Sequence, residues 1–155
     1  MNRPTALFLQ AVIVVVALAT VVFLLGEPHL EGRNAGAPLF RIYFQDPFLA
    51  FVYLGSVAFF VALYRAFRLC GDVRQQGTFS PATVDALHAI KYCGLIMIGF
   101  SAVGAVIIFF QGDQDDRPAG IAMSFLAICA ASAIAIAATL FARHLQSVLR
   151  RPQQV

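Results

Sequence analysis

KYCGLIMIGFSAVGAVIIFFQGDQDDRPAGIAMSFLAICAASAIAIAATLF, residues 91–141, is two long apolar runs joined by the polar segment Gly112-Asp113-Gln114-Asp115-Asp116-Arg117-Pro118. Neither run holds a charge between Tyr92 and Phe110 or between Pro118 and Phe141. Each is long enough to cross roughly 30 Å of hydrocarbon as a helix, and so short a connection forces them antiparallel. The pattern is a membrane helical hairpin, with spans predicted at about 91–111 and 119–141.

Working back toward the N-terminus, Ser80-Pro81 is a helix start. The Ser hydroxyl is predicted to cap free amides, and Pro sits where its missing N–H costs nothing. The third helix therefore begins some ten residues, or about 15 Å, before its membrane part. A second span is predicted at about 48–69, opened by Asp46-Pro47 and closed by Cys70-Gly71, where Gly is expected to end the helix. The first span, about 6–25, reads ALFLQAVIVVVALATVVFLL, with a single amide, Gln10, and no charge. A cleaved signal peptide competes for this segment, with Arg3 as its charged start and Ala17-Leu18-Ala19 as its site, but the apolar run continues past that point to Leu25. An uncleaved span is the preferred reading.

The whole chain of 155 residues agrees: 60% is apolar and 12% charged. Soluble domains carry about 25% charged residues, so a globular soluble fold and a disordered chain are both excluded. The fold class is all-α: one integral membrane domain over 1–155, an up-down antiparallel four-helix bundle. It has an external loop at 26–47, a cytoplasmic loop at 70–87 and a cytoplasmic tail at 142–155.

Orientation follows from the sorting of charge. With the N-terminus inside, Arg3, Arg65, Arg68, Arg74, Lys91, Arg143, Arg150 and Arg151 lie on the cytoplasmic side, and only Arg33, Arg41 and Arg117 outside. Acidic residues sort the other way, with only Asp72 and Asp85 inside. Both termini are expected in the cytoplasm of a cell whose inner membrane holds the protein. Tyr64, Phe67, Tyr92 and Phe141 mark the inner boundary, and Phe40, Tyr43, Phe44, Phe48, Phe109 and Phe110 the outer one. The outer loop's aromatic end, Leu39 to Phe44, is expected to lie along the interface.

Small residues mark where backbones approach. Ala127, Ala131 and Ala135 recur every fourth residue with Thr139, and Ser101 and Ala105 share that spacing on the third helix beside Gly94, Gly99 and Gly104. Packing within the chain is the expected use; a homodimer seam is the alternative.

Ionisable groups buried in a membrane point to transport or proton relay, because hydrocarbon tolerates them mainly for function. None lies at mid-membrane here, which disfavours a proton-coupled carrier. Cys70, Cys93 and Cys129 form no CxxC pair. His88, His144, Cys70 and Cys93 share one boundary level, and convergence would make a soft-metal site, but their spacing matches no metal motif. No catalytic residue, metal site, cofactor or nucleic-acid contact is assigned.

The cytoplasmic rim holds the remaining signal. Val84, Leu87 and Ile90 form an apolar edge beside Asp85 and His88, and Phe141, Leu145, Val148 and Leu149 form another beside Arg143, Arg150 and Arg151. Two such overhangs can pack into a platform below the bilayer. Candidate contacts for a partner or for anionic lipid headgroups are Arg65, Arg68, Arg74, Phe79, Val84, Asp85, Leu87, His88, Arg143, His144, Arg150 and Arg151.

Gly77-Thr78-Phe79-Ser80-Pro81-Ala82-Thr83-Val84-Asp85-Ala86-Leu87-His88-Ala89-Ile90-Lys91-Tyr92-Cys93 is similar to the Phe-Ser…Val…Leu…Ile…Tyr start of helix three in a family of small bacterial membrane proteins. That family is catalogued as domain of unknown function twenty-nine seventy-five, and its four-span plan resembles this one, as does the Leu-Phe-Ala-Arg-His-Leu-Gln end at Leu140 to Gln146. The resemblance implies no catalytic residue. It implies at most a membrane partner of a cytoplasmic regulator, since some members lie beside genes for small helix-turn-helix regulators. An acidic segment that commonly follows the last helix is replaced here by Arg150-Arg151-Pro152-Gln153-Gln154-Val155, which shifts the expected docking site to Phe79–Leu87.

The sequence thus reads as a non-enzymatic anchor or regulator of a cytoplasmic partner, with a small oligomeric transporter or permeability protein as the alternative. Alkaline phosphatase, active only outside the cytoplasm, is expected to be active when fused at Asp115 and inactive when fused after Val155. The reverse pattern would invert the topology.

Overall fold

The computed structural model describes residues 3–30, 38, 40, 47–76, 80–111 and 117–150. Four helices make up almost all of this: α1 (Arg3–Leu30), α2 (Pro47–Gln76), α3 (Pro81–Gln111) and α4 (Arg117–Arg150). Among the described residues there is no strand. All four are long and apolar enough to cross a membrane, and at 28 to 34 residues each exceeds about 30 Å of hydrocarbon. The protein is an antiparallel membrane helical bundle. One end carries both termini (the terminal end); the other carries the turn between α3 and α4 (the hairpin end). Phe79, the polar turn at 112–116 and most of the loop between α1 and α2 lie outside the described residues.

Helices pack in sequence order. The most extensive contact is between α3 and α4, then α2 with α3, then α1 with α2. Between α3 and α4 the backbones come close: a Cβ on Gly94 would lie 3.1 Å from both the Ala131 carbonyl oxygen and the Ala135 Cβ, and a Cβ on Gly120 would lie 3.1 Å from Ile108. The buried stripe on α4 is Ala131, Ala135, Ala138, Ala142 and Leu145. Its steps alternate between four and three residues, the 3.5-residue repeat that keeps one seam facing a left-handed partner. The every-fourth pattern expected from sequence therefore holds over Ala131 and Ala135 and then gives way, with Thr139 beside the seam and its hydroxyl donating to the Ala135 carbonyl at 2.7 Å.

Between α2 and α3, Phe51 and Phe100 pack with ring centroids 4.9 Å apart. Phe100 also covers Gly55, where a Cβ would meet its ring at 3.0 Å. Gly104 faces α2 through Phe51. Gly99 departs from expectation: it is exposed, nothing lies within 4 Å of a Cβ built on it, and it packs against no helix. Ser101 and Ala105 are half-buried, and Ala127 is half-buried above the seam.

α1 is attached differently. Gln10 Nε2 donates to the Phe67 carbonyl at 3.3 Å, and Tyr53 Oη donates to the Leu24 carbonyl at 3.0 Å. Both acceptors sit where the helix exposes a carbonyl. Gly71, four residues past Phe67, has no Cβ to block the amide; one placed there would meet Gln10 Nε2 at 3.2 Å. Pro28, four residues past Leu24, has no N–H to give that carbonyl, so the Tyr53 hydroxyl supplies the missing donor. Gly71 does not end α2, which continues to Gln76. Glycine's helix-ending tendency is local, and here close approach of α1 uses the same residue inside a continuous helix.

The Gly94 seam sets a stability test. Gly94→Leu, which forces a branched side chain into a 3.1 Å gap, is expected to lower stability in detergent by roughly 1–3 kcal/mol. Gly99→Ala is expected to be neutral or to gain up to about 1 kcal/mol of helix propensity. Equilibrium unfolding in mixed micelles compares the two.

Candidate functional site

Burial along the helices marks where the surroundings change. In the central and hairpin-end parts, large apolar side chains point outward: Leu95, Ile96, Val103, Val106 and Phe109 on α3, and Phe125, Leu126, Ile134 and Ile136 on α4. From Ile90 toward the terminal end the pattern inverts on α3. Val84, Leu87 and Ile90 are buried, whereas Pro81, Ala82, Asp85 and His88 are exposed. The start of α3 thus keeps its apolar residues against α4 and turns its polar ones outward.

The overhang is a small core of its own. Val84, Leu87 and Ile90 from α3 close on Ala138, Ala142 and Leu145 from α4, with Ala66 and Leu69 of α2 and Leu149 packed against them. Its start is capped, though not as expected. The Thr83 hydroxyl accepts from the Ser80 N–H at 3.3 Å, while the Thr83 N–H donates to the Ser80 carbonyl at 2.9 Å. Thr83, itself buried, thus takes the part that Glu or Gln plays in a capping box.

This geometry divides the predicted contact residues. Val84 and Leu87, expected among the groups that meet a partner, are 8% and 7% exposed and are committed to the α3–α4 core. The apolar edge read on α3 is real, but α4 covers it. On α4 the buried edge is Ala138, Ala142 and Leu145, and Phe141 and Val148 point outward instead. Asp85, His88, Arg143, His144, Arg65 and Arg68 are exposed, and Arg74 is half-buried. Arg68 donates to the Tyr64 hydroxyl at 3.2 Å, one turn earlier on the same helix. Lys91 lies 5.5 Å from the centre of the Tyr92 ring, at the level where the burial pattern inverts. Phe79 and Arg151 are outside the described residues, as is the side chain of Arg150.

The four residues considered for a soft metal are not brought together. Cys70 and Cys93 are buried free thiols, whereas His88 and His144 face outward. Among the described residues no group of three or more His, Cys, Asp or Glu side chains is placed to hold a metal. At the hairpin end, Arg117 lies 5.9 Å from the centre of the Phe109 ring, a cation–π contact joining the ends of α3 and α4. Gly55, Gly71 and Gly120 were missed as close-approach positions; Gly120 stands four residues before Ser124, a small-residue spacing on α4 that could have revealed it.

Residues 37–151 match the model of the family described as Protein of unknown function (DUF2975). The chain belongs to that family. The matched region takes in α2, α3 and α4, including the whole overhang core, and begins after α1. The chain is also 32% identical over 155 residues to the "Uncharacterized membrane protein YoaS" of Bacillus subtilis (strain 168), covering 97% of this chain and 92% of that protein. No solved structure matches it.

The overhang core carries its own test. Leu87→Ala, which empties a buried site, is expected to destabilise the protein by about 2–5 kcal/mol. Asp85→Ala and His88→Ala, on the exposed face of the same helix, are expected to stay within about 0.5 kcal/mol. Thermal unfolding in one detergent distinguishes a core position from surface positions only a residue away.

Proposed function

We propose that the protein is a non-enzymatic inner-membrane anchor or regulator that holds a cytoplasmic partner at the terminal end of its bundle. One observation carries the reading: the start of α3 and the end of α4 pack into a capped core built from Val84, Leu87, Ala142 and Leu145. Spanning a membrane does not require that core. Its outer face offers Asp85 and His88 on α3 and Arg143 and His144 on α4, a mixed-charge surface on rigid helices. Binding surfaces are more precise on such elements than on loops. The family resemblance suggests a small helix-turn-helix regulator as the class of partner.

Lipid headgroups alone would explain exposed arginines, each contributing about 1 kcal/mol near an anionic surface. Headgroups do not explain an acidic residue presented from the middle of the overhang. A photo-crosslinking amino acid at Asp85, activated in native membranes, is expected to give an adduct with one soluble protein. That adduct should weaken when Arg143→Glu reverses a charge exposed on α4. Recovery of lipid adducts alone would refute partner docking and leave the overhang as a lipid-facing support.

A further inference from the structure

A cleft of ≈ 330 Å³ lies among the helices toward the hairpin end, walled by Phe23 of α1, Phe51 and Phe59 of α2, Met97 and Ser101 of α3, and Ala127 of α4. All four helices contribute, although among the described residues α1 packs extensively on α2 alone. No α1–α4 seam of comparable extent shuts the gap between those two walls.

The walls are almost without free polar groups. Thr20 and Ser56 also line the cleft, but Thr20 donates to the Val16 carbonyl at 2.8 Å and Ser56 to the Tyr53 carbonyl at 2.7 Å. Ser101 alone among its hydroxyls has no such partner among the described residues. A buried water needs two to four polar partners, so a water column is not favoured here. Depth narrows the occupant further. From Phe51 to Phe59 the cleft runs about 12 Å along α2, starting about one turn inside that helix's first residue. That is close to the roughly 15 Å of one leaflet's hydrocarbon.

We propose that this cleft is a binding site for one acyl chain of a phospholipid in the leaflet at the hairpin end. The chain enters between α1 and α4 and lies against the rings of Phe23, Phe51 and Phe59. The site is independent of partner docking at the opposite end.

The test uses the full chain in vesicles of phosphatidylethanolamine and phosphatidylglycerol, with a photoactivatable diazirine on the phospholipid acyl chain and adducts mapped by peptide mass spectrometry. Phe23, Phe59 and Met97 are expected to label about tenfold more than Phe125 and Leu126, which face outward at a similar depth, a preference of about 1.4 kcal/mol. Ala127→Phe fills the cleft from α4 and is expected to abolish that excess while leaving Phe125 labelling unchanged. Ser101→Leu does the same from α3, so the test survives if one variant fails to fold. Equal labelling of cleft and outward positions overturns the site, and so does an excess that persists in both variants. Loss of cleft labelling when a minor fraction of a polyisoprenoid alcohol is added to the vesicles before photolysis also overturns it, in favour of a different lipid.

Discussion

Close approach of α3 to α4 at Gly94 is the contact on which the rest of the bundle is arranged. Within hydrocarbon, moving a leucine from lipid to a helix interface yields almost nothing, so helices are held by the fit of their surfaces and by polar contacts between them. Dispersion rewards short distances, and a gap of even 0.5–1 Å forfeits a quarter to a half of each contact. Gly94 opposite Ala131 and Ala135, with Gly120 opposite Ile108 near the other end, lets two long helices stay close across the bilayer. α2 joins this pair through Phe100 over Gly55 and the Phe51–Phe100 stack. α1 joins last, against α2.

Toward the terminal end the same two helices bury larger side chains. Leu95 is 48% exposed and Leu87 7% exposed, on one continuous helix little more than two turns apart. Eight residues turn a helix by about 80° beyond two full circles, so Leu87 faces α4 and Leu95 faces away from it. The α3 side of the seam changes from Gly94 to Val84, Leu87 and Ile90, while α4 keeps Ala138 and Ala142 and adds Leu145. One pair of helices is therefore held by close backbone approach in one part and by packing of larger side chains in the other. This is why an overhang of about three turns keeps a defined shape.

Helix number, the antiparallel hairpin and the start of α3 were legible in the sequence because they depend on local properties: run length, charge and a Ser-Pro start. What was not legible depended on a neighbour. Gly94 and Gly99 look alike in sequence, yet five residues turn a helix by about 140° beyond a full circle, so only one of them can meet α4. Gly71 reads as a helix end until the Gln10 amide occupies the space its missing Cβ leaves. Val84 and Leu87 form the same apolar edge whether it is offered to a partner or covered from within. Only the register of α4, which brings Ala142 and Leu145 over them, decides that they are covered.

α1 stands apart in both packing and kinship, since the family match begins beyond it. Its links to α2 include two side-chain hydrogen bonds to carbonyls made accessible by Gly71 and Pro28. Interhelical bonds of this kind contribute about 0.6–2 kcal/mol in membranes, far less than an extended close-packed seam. Yet α1 supplies Phe23 and Leu24 to the cleft, which without it would be a shallow groove on α2 and α3. Docking of α1 and occupation of the cleft are therefore linked: an apolar chain that touches α1 only when α1 is seated must, by mass action, hold it there. The weakest attachment in the bundle is thus also the wall whose position the occupant of the cleft controls.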